Sequence, residues 1–234
     1  MKYPIGIQSF EQIIEDGYAY IDKTDLVYKL THEGKIYFLS RPRRFGKSLL
    51  VSTLKNYFLG HKELFEGLKI YNMEKDWNTY PVFHVDFNGS NFTVPGELEQ
   101  KIRFHVSEWE KHYNLPCREE ELGIGDRFAE VLRAAHEQTG RRAVVLIDEY
   151  DKPILDVLDV DTSLEDRHRN VLKAFYSVFK VADSHLQFVL LTGVTKFSQV
   201  SVFSGFNQPD DISMDKRYET LCGITQDELC HYFS

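Results

Sequence analysis

A chain of 234 residues, 42% hydrophobic and 14% aromatic, can bury one substantial core and lies near the upper size for a single domain. Its formal net charge of −8 disfavours non-specific attraction to nucleic acid, though a local basic face stays open. Cys117, Cys222 and Cys230 form no CxxC pair and point to reduced thiols; with no apolar run near the ~20 residues that span a bilayer and no apolar signal core, a cytoplasmic protein without membrane attachment is expected.

In chain order, Ser9 to Asp16 reads as a short helix closed by Gly17, and Tyr18 to Ile21 as a short extended piece. Thr24 or Asp25 caps a helix through about His32, with Leu26, Val27 and Leu30 on one face. A strand from Lys35 to Leu39 leads into a turn, and a helix runs from Lys47 to about Leu59, ended by Gly60. Pro81 to Phe87 is a second strand. Amphipathic stretches then run from about Gly96 to Tyr113 and from about Asp126 to Gln138, the latter stopped by Gly140. The strand Ala143 to Asp148, a helix near Leu164 to Val181 and a strand ending at Thr192 complete the pattern. Strands alternating with long helices predict right-handed crossovers and a parallel sheet covered on both faces, an α/β domain.

The turn carries the first chemistry. Gly46-Lys47-Ser48 stands between an apolar strand and a helix, where backbone N–H groups face an anion, a lysine reaches the β and γ phosphates and a serine hydroxyl ligates Mg²⁺. The full motif places a glycine five positions before Gly46, and here that position is Arg41, followed by Pro42. The donors that matter most come later, from Arg43, Arg44, Phe45, Gly46, Lys47 and Ser48 into Leu49, and Arg43, Arg44 and Lys47 suit a polyphosphate. A solvated basic turn is the alternative for the loop alone.

The second element is Ala143-Val144-Val145-Leu146-Ile147-Asp148-Glu149, a continuous apolar run of the kind buried on both faces of a parallel sheet, ending in two acids. At that edge Asp148 can hold the Mg²⁺ touched by Ser48, and Glu149 can orient or deprotonate a water. The third is Phe188 to Gly193, where Thr192, with Thr195 behind it, is the candidate γ-phosphate sensor; a threonine merely ending a strand is the alternative. Near the end, Thr225-Gln226-Asp227-Glu228 fits a capping box, with Ile224 and Leu229 as its hydrophobic staple. A helix starting so close to Ser234 reads as the beginning of a longer region, a short terminal helix being the alternative. The expected division is 1–34 as an N-terminal helical segment on the nucleotide site, 35–223 as the core and 224–234 as the start of a helix leading to a further C-terminal region.

Taken as a set, Pro4-Ile5-Gly6, Tyr20-Ile21-Asp22-Lys23-Thr24, Arg41 to Ser48, Ile147-Asp148-Glu149-Tyr150-Asp151-Lys152-Pro153 and Leu191 to Ser198 resemble the AAA-ATPase-like family of bacterial proteins. In that family an N-terminal P-loop ATPase-like domain usually precedes a restriction-endonuclease-like domain. The resemblance implies a P-loop NTPase three-layer sandwich with a mostly parallel central sheet, of the AAA, additional-strand-catalytic-Glu type. It implies ATP and Mg²⁺ as ligands, with Lys47, Ser48, Asp148 and Glu149 in their usual roles. Asp22 and Lys23 would lie over the adenine, though a helix cap explains Asp22 equally well. Asp151 would stand behind the metal or be a surface acid, and Arg217 would be an arginine finger for its own or a neighbour's nucleotide, or a solvated side chain. The implied partner is a C-terminal nuclease-like domain, through which alone nucleic acid would be met, and a homo-oligomer is left open.

Two functions are open: hydrolysis of Mg-ATP that drives or gates a downstream domain, or a non-hydrolysing nucleotide switch that scaffolds it. A small-molecule kinase lacks an evident lid. A nuclease using Asp148, Asp151 and Lys152 would claim residues better explained by the ATP site.

Overall fold

The computed structural model describes residues 2–195 and 209–233. Ten α-helices and five strands lie in that span. They are α1 (Phe10–Glu15), α2 (Thr24–Glu33), β1 (Ile36–Ser40), α3 (Lys47–Phe58), α4 (Lys69–Met73), β2 (Val82–Asp86), α5 (Glu97–His112) and α6 (Ile124–Thr139), then β3 (Ala143–Asp148), α7 (Lys152–Leu155), α8 (Thr162–Tyr176), α9 (Val178–Val181), β4 (Leu186–Gly193), β5 (Asp210–Asp211) and α10 (Gln226–Phe233).

The strands form one sheet in the order β2-β3-β4-β1-β5, and every pairing is parallel. All five carboxyl ends therefore share one edge, and that edge receives the loop after β1 and the acids after β3. All six residues of β3 are buried, which a strand covered on both faces requires. Its side chains alternate: Val145 and Ile147 face a cluster with α5, α6 and α8, while Val144 and Leu146 face a cluster with α3 and the N-terminal helices.

Strand β4 pairs Leu186 with Ala143 but Phe188 with Val144, so Gln187 is an extra residue. The bulge resets the alternation, and Leu186 and Val189 consequently lie in the same cluster. On the α5 side, Phe83, Trp109, Phe128 and Phe175 pack ring to ring, with Trp109 stacked on Phe128 at 5.0 Å and Phe128 on Phe175 at 5.2 Å.

Local differences from the expected elements have physical causes. The extended piece Tyr18 to Ile21 joins no sheet beyond a single parallel bridge from Tyr18 to Lys2. The helix expected from Leu164 to Val181 is two, because Ser177 donates its hydroxyl to the Ala174 carbonyl at 2.7 Å and competes with the helical ladder. The N-cap of α2 is Lys23, not Thr24 or Asp25, and its side chain makes no cap bond; Asp22, one residue earlier, accepts from the Thr24 amide at 2.9 Å and its hydroxyl at 2.6 Å. The capping box of α10 forms in both directions, Glu228 N to Thr225 Oγ1 at 3.2 Å and Thr225 N to Glu228 Oε2 at 2.8 Å. Among the described residues no helix is long and apolar enough to cross a membrane.

Candidate active site

The chain leaves β1 with Arg41 N still bonded to the Gly193 carbonyl at 3.1 Å, so the turn starts from the fixed sheet edge. Arg44 at φ +62° and Gly46 at φ +89° then adopt left-handed backbone on either side of Phe45. Left- and right-handed residues in succession build an anion-binding nest, and a non-glycine there costs on the order of 1 kcal/mol. Gly46 is also the N-cap of α3, so the nest opens at a helix N-terminus.

Arg41 braces the entrance. Its guanidinium donates to the carbonyls of Ser40 at 3.1 Å, of Ser213, and of Tyr218 at 3.5 Å, tying the loop to the segment after β5. A glycine at this position could not make that tie. Lys47 is 3% exposed, and its ammonium donates to the carbonyls of Arg41 at 3.1 Å and Pro42 at 3.4 Å. It also pairs with Glu149 Oε1 at 3.2 Å, which brings the loop and the acid-terminated strand together.

Asp148 is buried at the end of β3, where Oδ1 accepts from the Thr192 hydroxyl and from Glu149 N at 3.1 Å. Thr192 is wholly buried and so orients Asp148; it does not line the cavity over this edge. Glu149 sits at φ +54°. Burial raises its carboxyl above the ordinary range, the Lys47 ammonium opposes that shift, and Asp148 and Asp151 reinforce it.

Asp151 is completely buried, not a surface acid. Its Oδ2 accepts from Val194 N at 3.0 Å, Thr195 N at 2.7 Å and Thr195 Oγ1 at 2.8 Å, while Tyr150 OH donates to the Thr195 carbonyl at 2.9 Å. The Tyr150-Asp151 pair thus stitches the end of β3 to the turn after β4. Lys196, Phe197 and Ser198 lie outside the described residues.

The cavity has a volume of about 1040 Å³. The loop from Arg43 to Leu50 forms its floor, including Phe45 and Ser48. On the β5 side stand Leu221, Cys222, Gly223 and Ile224 together with N-terminal residues, among them Pro4, Ile7, Tyr20, Ile21 and Lys23. On the β2–β3 side stand Asn88, Glu149, Lys152 and Leu155. Burial lifts the Cys222 thiol to about 11, so it stays protonated and the wall is neutral there. Gly223, at φ +85°, admits the Phe45 ring; an added Cβ would lie 3.0 Å from it. Lys23 is held by Glu228 at 2.5 and 2.7 Å, which joins the cavity wall to α10.

Of the expected residues, Asp148, Thr192, Asp22 and Arg217 do not line the cavity; Asp148 and Thr192 are buried together at the ends of β3 and β4, and the other two are engaged elsewhere. Asp22 spends its carboxylate on α2 and on Lys69 N at 2.8 Å, the start of α4. Arg217 is held by Asp215 at 2.6 Å and by Glu33, the residue ending α2, at 3.2 Å. Among the described residues no cluster of three or more His, Cys, Asp or Glu could cage a metal. Ser48 lines the cavity and Asp148 lies buried at the end of β3; a hydroxyl and a carboxylate are oxygen donors of the kind that could hold Mg²⁺, which binds through one or two protein oxygens plus phosphate and water.

The walls from Leu221 to Ile224, the Arg41 brace and the Asp151 stitch were missed by sequence reasoning. Asp151 had a signal, since it stands inside the Asp-Glu-Tyr-Asp-Lys-Pro block. The segment from Leu221 to Ile224 had none.

A five-strand parallel sheet flanked by helices, with a nest opening onto a helix N-terminus at its carboxyl edge, defines an α/β protein with a P-loop-like fold. The model of the predicted AAA-ATPase family matches residues 4–203, and the chain belongs to that family. It is also 44% identical over 238 residues to a protein of Azotobacter chroococcum mcd 1 described as an uncharacterized protein in the vnfD 5' region. The match takes in 100% of this chain and 45% of that relative, so the chain spans about half the relative's length.

Proposed function

We propose that the chain is an ATPase domain of the AAA, additional-strand-catalytic-Glu type that binds and hydrolyses Mg-ATP. The observation that supports this reading is the 3.2 Å contact between Lys47 and Glu149, both of which line one cavity, as a phosphate-loop cation and a water-orienting acid would. Arg43, Arg44 and the N–H groups through Leu49 cradle the polyphosphate, and Lys47 leaves Glu149 for the β and γ phosphates. Ser48 and Asp148 hold Mg²⁺, which neutralises charge on the phosphates. Thr192 fixes Asp148 for that task. Glu149, freed from Lys47, orients the water and takes its proton.

The N-terminal segment 1–34 and Lys23 cover the base, residues 35–223 form the core, and 224–234 lead into a C-terminal nuclease-like domain that hydrolysis drives or gates. The length of the relative supports a further region but says nothing of its activity. The second reading, a nucleotide switch without hydrolysis, is favoured by one observation: Lys47 is already satisfied by two carbonyls and a carboxylate.

Calorimetry with Mg-ATP, followed by phosphate release in the same samples, separates the two. Binding with release that disappears in Glu149→Gln supports the ATPase. Binding without release in wild type leaves the switch, and a Lys47→Ala variant that binds Mg-ATP as tightly as wild type refutes the site.

A further inference from the structure

An ATPase needs positive charge where the γ-phosphoryl group passes to water, and an arginine finger is one way to supply it. Arg217 does not serve within this chain, because Asp215 and Glu33 hold its guanidinium away from the cavity. Among the described residues the cations lining the cavity are Lys23, Arg43, Arg44, Lys47 and Lys152. Lys23 is committed to Glu228 on the β5 side, and Arg43, Arg44 and Lys47 belong to the loop that cradles the phosphates. Lys152 alone of these comes from the acid side of the sheet.

Its position is fixed by short-range geometry. Lys152 N donates to the Glu149 carbonyl at 3.0 Å, so the two residues share one turn at the end of β3. The Lys152 ammonium is held by Asp156 at 2.6 and 2.8 Å and lies 5.7 Å from the centre of the Phe92 ring. One carboxylate engages at most two of the three N–H donors of a lysine, so a donor is left for a ligand oxygen. Two negative groups, Glu149 and the γ phosphate, must also approach each other here. A cation on the same turn offsets their repulsion.

Resting on the ATPase reading, we propose that Lys152 is a catalytic residue that stabilises the transferring γ-phosphoryl group from within the same chain, in the role an arginine finger has elsewhere. In that step the water oxygen bonds to the γ phosphorus as the bond to the β–γ bridging oxygen breaks. Its electron pair leaves with ADP, and the water proton goes to Glu149. Lys152 donates to an equatorial oxygen, where negative charge is spread, and Asp156 keeps the ammonium in place.

The test compares wild type, Lys152→Ala and Lys152→Arg, after equal thermal midpoints show that all three fold. Expected for Lys152→Ala is a loss in kcat of about 10²-fold or more, with the dissociation constant for a non-hydrolysable ATP analogue held within about threefold. Affinity for Mg-ADP-aluminium fluoride should fall by a similar factor while that for Mg-ADP does not, and Lys152→Arg should recover most of kcat. Specific activity should not depend on protein concentration. Wild-type turnover with Lys152→Ala within about threefold of it overturns this proposal and leaves the ATPase standing. So does specific activity that rises with concentration, the mark of a finger from a second copy. A wild type that binds the analogue and never releases phosphate overturns the ATPase reading and this one with it.

Discussion

Two cation–carboxylate pairs in this molecule, one buried on both sides and one half-buried at a cavity wall, are built differently. Arg127 and Glu110, 2% and 4% exposed, meet between α5 and α6 through two parallel bonds at 2.8 and 2.6 Å, with Ser107 taking a further N–H at 3.0 Å. Lys47 and Glu149 meet through one contact at 3.2 Å, at the wall of a cavity, with Glu149 on a left-handed backbone. The first pair has planar, two-point geometry that fixes two helices in register. The second uses a point charge that can exchange one oxygen for another without moving the backbone. Burial alone does not make an ion pair structural; what counts is the number of bonds that must break before a competitor can enter.

That contrast can be broken by experiment, and the largest effect belongs to the first pair. Glu110→Ala strands a buried guanidinium and should cost about 3–5 kcal/mol in urea unfolding, a large share of the margin of a domain this size. Thr192→Val comes next: removing the hydroxyl that bonds Asp148 should cost about 1–2 kcal/mol, with Thr192→Ser restoring most of it. Glu149→Ala should cost less than about 1 kcal/mol, because Lys47 keeps two carbonyl partners and the left-handed backbone is unchanged. A loss as large as that of Glu110→Ala would erase the distinction between the two pairs.

The smallest effect tests a third pair, Lys23–Glu228, which is partly exposed. Burial raises the Glu228 carboxyl, but the hydrogen bonds from Lys23 and Thr225 outweigh it and the net shift is downward. A depressed carboxyl stabilises above its unfolded value and loses that contribution as pH falls through the folded value. Glu228→Gln should therefore lower the thermal midpoint slightly at pH ~7, by the equivalent of about 0.5 kcal/mol, and should match wild type once pH lies well below about 4. A difference that persists in acid would assign the contact to packing and not to charge.

Distance along the chain decided how much was legible in the sequence. The α/β alternation, the three long strands that flank the site and the positions of Lys47, Ser48, Asp148 and Glu149 were readable, since each rests on a local run with a clear period or stop. The two-residue β5 was not, because so short a strand carries no periodicity. Nor was the Arg41 brace, whose acceptor lies 172 residues away, or the contact from Thr192 to Asp148 across 44 residues. Asp22 was read as a base-covering residue or a cap; its carboxylate instead ties the first residue of α2, Thr24, to Lys69 at the start of α4. Side chains whose partners are distant in sequence have no local signature to read.

The brace also has a consequence for the order in which the molecule is made. Strand β1 lies between β4 and β5, and its loop is tied by Arg41 to Ser213 and Tyr218. At a synthesis rate of roughly 5–20 residues per second, the loop emerges on the order of ten seconds before the segment that braces it. Until then an apolar strand and a basic turn wait without their neighbours. The candidate site, though its loop is written early in the chain, is among the last parts of the domain to be assembled.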